Sequence, residues 1–276
     1  MTTKLKRPTI TAVIIAKNEE QMIDVCIETL RWCDEILVID NGSTDATAKK
    51  AEALGARVIS FSSHSFARVR EEALKHTETD WILYIDADER VTPILAKEIA
   101  VQIETGAAVA ISMKRKNYFL GHPFSYGGWQ HDVVTRAFKA SALSGWKGEI
   151  HESPVWSGDE VVLQSFLLHF THRSVVDNLK KSAEWTPKEA RAFIEAGNAP
   201  VTFKTILRKG FMEFWRRAFR DAGYKDGTVG LIESLIQAIN RMWVYMQVWE
   251  LQQKPSIPER YSHLEEEIQK KWKRES

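Results

Sequence analysis

Cysteine is nearly absent: there are two in 276 residues, Cys26 and Cys33. They sit seven positions apart on what reads as one helix, about 10 Å along its axis, which excludes a disulfide between them. Two unpaired thiols fit a reducing cytosol and imply no cysteine-based metal site. Long hydrophobic runs are missing as well. No window offers 18 uncharged apolar residues, so no membrane-spanning helix is expected. The short basic start, Met1 to Pro8, leads straight into an apolar run and lacks the pattern of a signal peptide. Nor does charge of one sign dominate. The formal net charge is +1, which provides no global field for nucleic acid. No G-x-G-x-x-G follows the first apolar run, which argues against a dinucleotide-dependent oxidoreductase. Repeats and low-complexity segments are also lacking. What is present, 44% hydrophobic and 27% charged, is the composition of a soluble globular protein. The length allows one large α/β domain, or one domain with an appendage.

The most informative stretch is Trp81-Ile82-Leu83-Tyr84-Ile85-Asp86-Ala87-Asp88-Glu89, five apolar residues that stop on three acids. Such a run is too short for an ordinary helix and reads as a strand buried on both faces. Its carboxylates then emerge only at its carboxyl end, where ligands bind in open α/β sheets. Two aspartates one residue apart suit a Mg²⁺ or Mn²⁺ that also holds phosphate oxygens. Thr9 to Ala16 reads as another buried strand, breaking at Lys17-Asn18-Glu19-Glu20, and Glu35 to Asp40 as a third that ends on an acid. Arg57 to Ser60 and Ala107 to Met113 complete a βαβ alternation that predicts a parallel sheet covered on both faces. Asn18 with Glu19, Asp40, and Asp86 with Asp88 all follow carboxyl ends of strands. In a parallel sheet those ends share one edge, so the polar groups should converge on one crevice. Asp and Asn also end strands simply as turn formers, a reading that explains three converging sets less well.

Residues 114–158 read as long Gly- and aromatic-rich loops, of the kind that tend to be functional. Val161 to Phe170 reads as a last strand. From Arg173 onward the pattern is helical. Lys204 to Arg220 carries six basic residues against one acid, Glu213, with Phe211, Met212, Phe214, Trp215 and Phe219 interleaved. Basic heads and aromatic rings in one segment read as an in-plane contact with an anionic membrane surface. Gly223, Asp226-Gly227 and Gly230 mark a turn, after which a packed helix is expected to about Leu251.

These residues resemble glycosyltransferase family 2, with the GT-A nucleotide-sugar fold. The matching pieces are Ala16-Lys17-Asn18-Glu19, Asp40-Asn41-Gly42-Ser43-Thr44-Asp45, Arg70 in a short helix, and Asp86-Ala87-Asp88-Glu89. Asn117, Gly127-Gly128-Trp129, Arg136-Ala137-Phe138, Ile150-His151-Glu152 and His169 are similar to a narrower group, the bacterial lipopolysaccharide inner-core glycosyltransferases. The chain departs from that pattern at Arg70-Glu71, where relatives usually have Arg-Asn, and at Thr135 and Ala137, where they have leucines.

The resemblance implies a GT-A domain over about residues 1–172 and a helical C-terminal extension over 173–276. It implies an inverting enzyme that takes a sugar from a nucleotide-sugar donor to a lipid-linked saccharide, on the cytoplasmic face of the inner membrane. Ala16, Asn18, Glu19, Asp40, Arg70 and Asp86 would meet the donor. Asp88, Asp86 and His169 would hold Mg²⁺ or Mn²⁺. Trp129, Arg136 and His151 would meet the acceptor. Inversion needs one base to deprotonate the acceptor hydroxyl. Glu152 is the first choice, Glu149 the second, and Asp132 a distant third. Glu89 reads as a helix-starting acid rather than a ligand. Two rivals stay open: transfer to a polyprenyl phosphate, which needs no base, and a non-catalytic nucleotide-sugar-binding protein of the same fold.

Overall fold

A computed structural model describes residues 7–148, 153–197 and 199–275. The chain divides into two compact units, Met1–Phe124 with Trp129–Thr171, and Ser125–Gly128 with His172–Ser276.

In the first unit the apolar, β-branched runs form β1 (Ile10–Ala16), β2 (Glu35–Asp40), β3 (Arg57–Ser60) and β4 (Trp81–Asp86). Every residue of β1 is buried, which is why it shows no polar alternation. Successive side chains still divide between faces. Val13 and Ile15 join Leu37, Ile39, Ile82 and Tyr84 in one core. Ala12 and Ile14 join Val38, Leu83 and Ile85 in the other. Helices α1 (Ile23–Glu28), α2 (Thr47–Ala53) and α3 (Phe66–Lys75) alternate with these strands. A short β5 (Glu89–Val91) precedes α4 (Pro93–Thr105). Thr92 caps α4 by accepting from the Leu95 amide, Pro93 sits in its first turn, and Gly106 ends it in the left-handed region.

Four expectations change here. The segment read as loops contains β6 (Ala110–Phe119), β7 (His122–Pro123), β8 (Val133–Lys139), β9 (Leu143–Lys147) and β10 (Ser153–Trp156). The polar run Lys114 to Asn117 hid the second half of β6, because its side chains are satisfied by partners distant in sequence. The sheet is also mixed rather than wholly parallel. With β11 (Glu160–Phe170) its order is β3-β2-β1-β4-β8-β6-β11-β5. Strand β8 runs antiparallel to both its neighbours, and β5 antiparallel to the end of β11. Glu89 opens β5 and is fully buried, so it is not a helix-starting acid. Finally, α1 ends at Glu28, so Cys33 lies beyond it, and both thiols are free.

The second unit holds α5 (Val175–Glu195), α6 (Phe203–Trp215), a π-helical turn (Arg216–Arg220), a 3₁₀ turn (Gly223–Asp226), α7 (Gly227–Leu251) and α8 (Ile257–Glu275). Ala190, Ile206, Val244, Tyr245 and Val248 form its core. Gly210 permits close packing of α6 on α7, since a Cβ there would stand 2.5 Å from Met242 Cγ. The turn before α7 is held by Asp226, whose carboxylate accepts from the Ser125 and Tyr126 amides at 3.2 and 3.0 Å. Gly230 faces the Gly223 carbonyl, and a Cβ there would lie only 2.1 Å from that oxygen.

A methyl group at Gly230 meets backbone on its side and must displace it. We expect Gly230→Ala to destabilise the helical unit by about 1–3 kcal/mol, the usual range for overpacking. Urea unfolding followed by circular dichroism measures this; an unchanged midpoint would show that the turn yields freely.

Candidate functional site

The parallel strands β2, β1 and β4 bring the expected residues to one sheet edge. Ala16 stands beside Asp40, and Ile15 beside Asp86. Asp40 and Asp86 therefore flank the end of β1, two strand spacings or roughly 10 Å apart. The turns beyond are tied together. Asn18, at a φ of 56°, accepts from the Thr44 amide at 2.7 Å, and its own amide donates to the Ser43 hydroxyl at 2.9 Å. The Glu19 amide donates to the Thr47 hydroxyl at 2.8 Å. Asp40 is buried, and both its oxygens accept from the Ser43 amide at 3.3 Å.

A chain of polar contacts runs from Asp86 round to Asp88. Arg136 donates to Asp86 and to the buried Glu89, both at 2.5 Å. Arg115 also reaches Glu89, at 3.4 Å, and makes two bonds to Asp132 at 2.9 and 3.0 Å. The Asn117 amide nitrogen donates to Asp132 at 2.8 Å, and its oxygen lies 2.5 Å from His169 Nδ1. His169 Nε2 stands 3.6 Å from Asp88. With Asn117 accepting, Nδ1 carries a proton and Nε2 is the ring nitrogen on the Asp88 side.

Local irregularity aims Arg136. In β8, Ala137 pairs with Ile111 and Thr135 with Ser112, so Arg136 is the extra residue of a β-bulge. Arg70 approaches from α3, with a guanidinium nitrogen 3.5 Å from Asp86 and its carbon 4.8 Å from the Trp146 ring. Arg90 braces the turn between β4 and β5, donating to the Ala87, Glu89 and Met22 carbonyls at 2.7, 2.6 and 2.8 Å. Burial opposes charge on Asp86, but the guanidiniums of Arg136 and Arg70 outweigh it and hold the carboxyl well below the usual carboxylate range.

Asp40, Arg70, Asp86, Asp88, Arg136 and His169 are thus gathered within the first unit, with Ala16, Asn18 and Glu19 at its edge. Trp129 is half-buried in the same unit. Glu149, His151 and Glu152 lie outside the described residues. Asp132 is committed to Arg115 and Asn117. Sequence reasoning missed the bracing roles of Glu89, Arg90 and Arg115. Their signal was present as charged side chains inside or next to strands whose neighbours are buried.

Asp88 and His169 supply an oxygen and a nitrogen suited to a divalent cation. Among the described residues no three His, Cys, Asp or Glu side chains gather as a complete cage.

Comparison with known proteins gives a match to the family model "Glycosyl transferase family 2" over residues 11–152. The "Lipopolysaccharide core biosynthesis glycosyltransferase LpsC" of Rhizobium meliloti (strain 1021) is 25% identical over 271 residues, covering 92% of this chain and 98% of its own. An "Uncharacterized glycosyltransferase" of Rickettsia bellii (strain RML369-C) is 26% identical over 252 residues, covering 84% and 83%. Among solved structures, glucosyl-3-phosphoglycerate synthase from Mycobacterium tuberculosis, in complex with Mn²⁺, UDP and glucosyl-3-phosphoglycerate, matches with a TM-score of 0.35. It is 28% identical, over 41% of this chain and 44% of its own length.

The depressed Asp86 carboxyl gives a pH signature. The unfolded aspartate titrates near 3.9, above the native group, so the unfolded chain binds more protons in that range. Stability from this group is full above about pH 4 and falls as the medium becomes more acid. Asp86→Asn should be less stable at neutral pH, because Arg136 loses a partner, and should show a shallower acid decline. Urea midpoints from neutral to acid pH test this; parallel declines would rule it out.

Proposed function

Because the chain belongs to glycosyl transferase family 2, we propose that it transfers a sugar, with inversion, from a nucleotide-sugar to a lipid-linked saccharide of the lipopolysaccharide-core kind. The observation that carries this reading is the strand register that sets Asp40 and Asp86 on either side of the β1 end, with Asp88 just beyond. Similarity to the Rhizobium meliloti protein over 92% of the chain supports the acceptor class.

In this reading Asp40 accepts from base or ribose donors, and Arg70 pairs with phosphate oxygens. Asp86 meets ribose hydroxyls, its ionised form secured by Arg136. Asp88 and His169 hold the cation. A bound Mg²⁺ or Mn²⁺ supplies Lewis-acid neutralisation of the charge developing on the departing nucleoside diphosphate. Asn117 holds His169 in the tautomer that offers Nε2. Glu152, or failing it Glu149, takes the proton from the attacking hydroxyl, opposite the diphosphate. Trp129 and His151 meet the acceptor. Arg136, expected from sequence to meet the acceptor, also clamps Asp86.

The helical unit supports contact with an anionic membrane. Phe203, Leu207, Phe211, Trp215 and Phe219 recur at every fourth position, with exposures of 70, 47, 67, 55 and 46%. Four residues overshoot one α-helical turn, so such a row drifts around the helix. The wider π turn at Arg216–Arg220 reverses that drift over the last step, to Phe219. Lys204, Arg208, Arg216 and Arg220 line the adjacent row, in the arrangement of a helix lying in the headgroup plane. Among the described residues no helix is long and apolar enough to cross a membrane.

Two tests follow from the site. Asp88→Ala should abolish transfer, and Mn²⁺ titrated with donor present should bind at least tenfold more weakly, with Asn117→Ala intermediate. Near-normal transfer by Asp88→Ala would remove the metal assignment. Glu152→Gln should keep donor binding, read by thermal shift, while losing transfer. If Glu149→Gln is the dead variant instead, the base is Glu149; full activity in Glu152→Gln and Glu149→Gln alike points to an acceptor already ionised, such as a polyprenyl phosphate.

A further inference from the structure

The helical unit contains two adjoining clefts that the proposed chemistry leaves unused. One, of about 280 Å³, is polar, with Lys181, Trp185 and Glu189 from α5 and Gln237, Asn240 and Arg241 from α7. The other, of about 480 Å³, is basic and aromatic. Its cations are Lys209, Arg216, Arg220 and Arg241, against the single carboxylate of Glu213. Arg241 and Glu213 line both clefts. Phe211, Met212 and Trp215 also border the second cleft, and these residues are 67, 51 and 55% exposed.

Cationic character rises from the first cleft, where Lys181, Arg217 and Arg241 stand with Glu189 and Glu213, to the second. The first also offers the Gln237 and Asn240 amides and the Trp185 indole, a set that can bind sugar hydroxyls and stack on a sugar ring. Guanidinium and ammonium groups follow, suited to phosphate. The exposed apolar row of α6 lies last. The ion pair of Arg241 with Glu189 is 3.8 Å long, with both side chains about two-fifths exposed. Such a pair is weak and costs little to open. Each cleft approaches or falls within the range of roughly 300–1,000 Å³ usual for small-ligand sites.

We infer that this face binds a phosphorylated saccharide, the polar head of the acceptor, with sugar hydroxyls at Gln237, Asn240 and Trp185 and the phosphate at Arg241 and Lys209. The lipid portion lies along Phe211 and Trp215. This assignment rests on the lipid-linked-saccharide reading for the acceptor's identity, but it concerns residues that take no part in donor binding or catalysis. Phosphate is the chemistry common to a sugar phosphate, a phospholipid headgroup and the free ion, so a test must separate them.

Saturation-transfer NMR on the full chain, with EDTA present and no donor, provides that test. Glucose 6-phosphate should give transfer to its ring protons, and glucose or inorganic phosphate alone should compete poorly. Gln237→Ala/Arg241→Gln should weaken glucose 6-phosphate binding about tenfold, whereas Arg241→Lys, which keeps the charge, should retain most of it. Circular dichroism checks that both variants are folded. Unchanged binding in the double variant overturns the inference, as does full displacement by equimolar inorganic phosphate. Binding only to phosphatidylglycerol vesicles, with no glucose 6-phosphate signal, also overturns it in favour of a headgroup site. Failure here with Asp88→Ala still inactive would remove this site alone. Retained binding with no transfer from any nucleotide-sugar would instead remove the catalytic reading.

Discussion

The guanidinium of Arg136, shared at 2.5 Å between Asp86 and the buried Glu89, is the interaction on which the rest of the site depends. Two carboxylates this close to one another repel, and a cation between them offsets that repulsion. Arg136 supplies that cation and Arg115 adds a second from β6. Removing charges from water costs as much as such pairs return, so the cluster is poorly explained as a device for stability. Its effect is positional. It fixes a charged Asp86 at the end of β4 and ties that strand through Glu89 to β5, and so to the end of β11 where His169 lies.

A β-bulge makes this possible. In a regular pair Arg136 would alternate with its neighbours and take its place in the β6 register. The skipped position lets it reach Asp86 and Glu89, while Phe138 two residues later enters the core and joins the Tyr84 and Trp146 rings. That aromatic cluster also carries Trp146 beneath Arg70. Core packing and the charge distribution at the sheet edge are therefore one construction, and a change in either is felt in the other.

Legibility in the sequence followed the distance over which each feature is determined. Strands β1, β2 and β4 were readable because burial on both faces leaves uninterrupted apolar runs, and their ends could be placed because acids cannot continue them. The α/β class with a helical C-terminal extension came from the same local patterns. Glu89 was misread because an acid followed by a proline-started helix looks like an N-terminal acid, whereas its partners come from β6 and β8. The second half of β6 was hidden for a related reason. Arg115 and Asn117 break the apolar pattern, and their satisfaction by Asp132 is visible only once the strands are paired. The bulge at Arg136 has no local signature, since it is a mismatch between two segments and belongs to neither alone.

The helical unit shows a different economy. Gly210 and Gly230 bring α7 against α6 and against the turn that precedes it, at positions where a side chain would collide. Alongside that packing, α6 and the π turn that follows leave five large apolar side chains exposed. Exposed apolar stripes of that length are of the kind that mark interaction sites. In the proposed reading the exposed stripe, with its cationic neighbours, is chain kept out of the core for contact with an anionic lipid surface. The same π turn that keeps Phe219 in line carries Arg216 and Arg220 into the basic cleft.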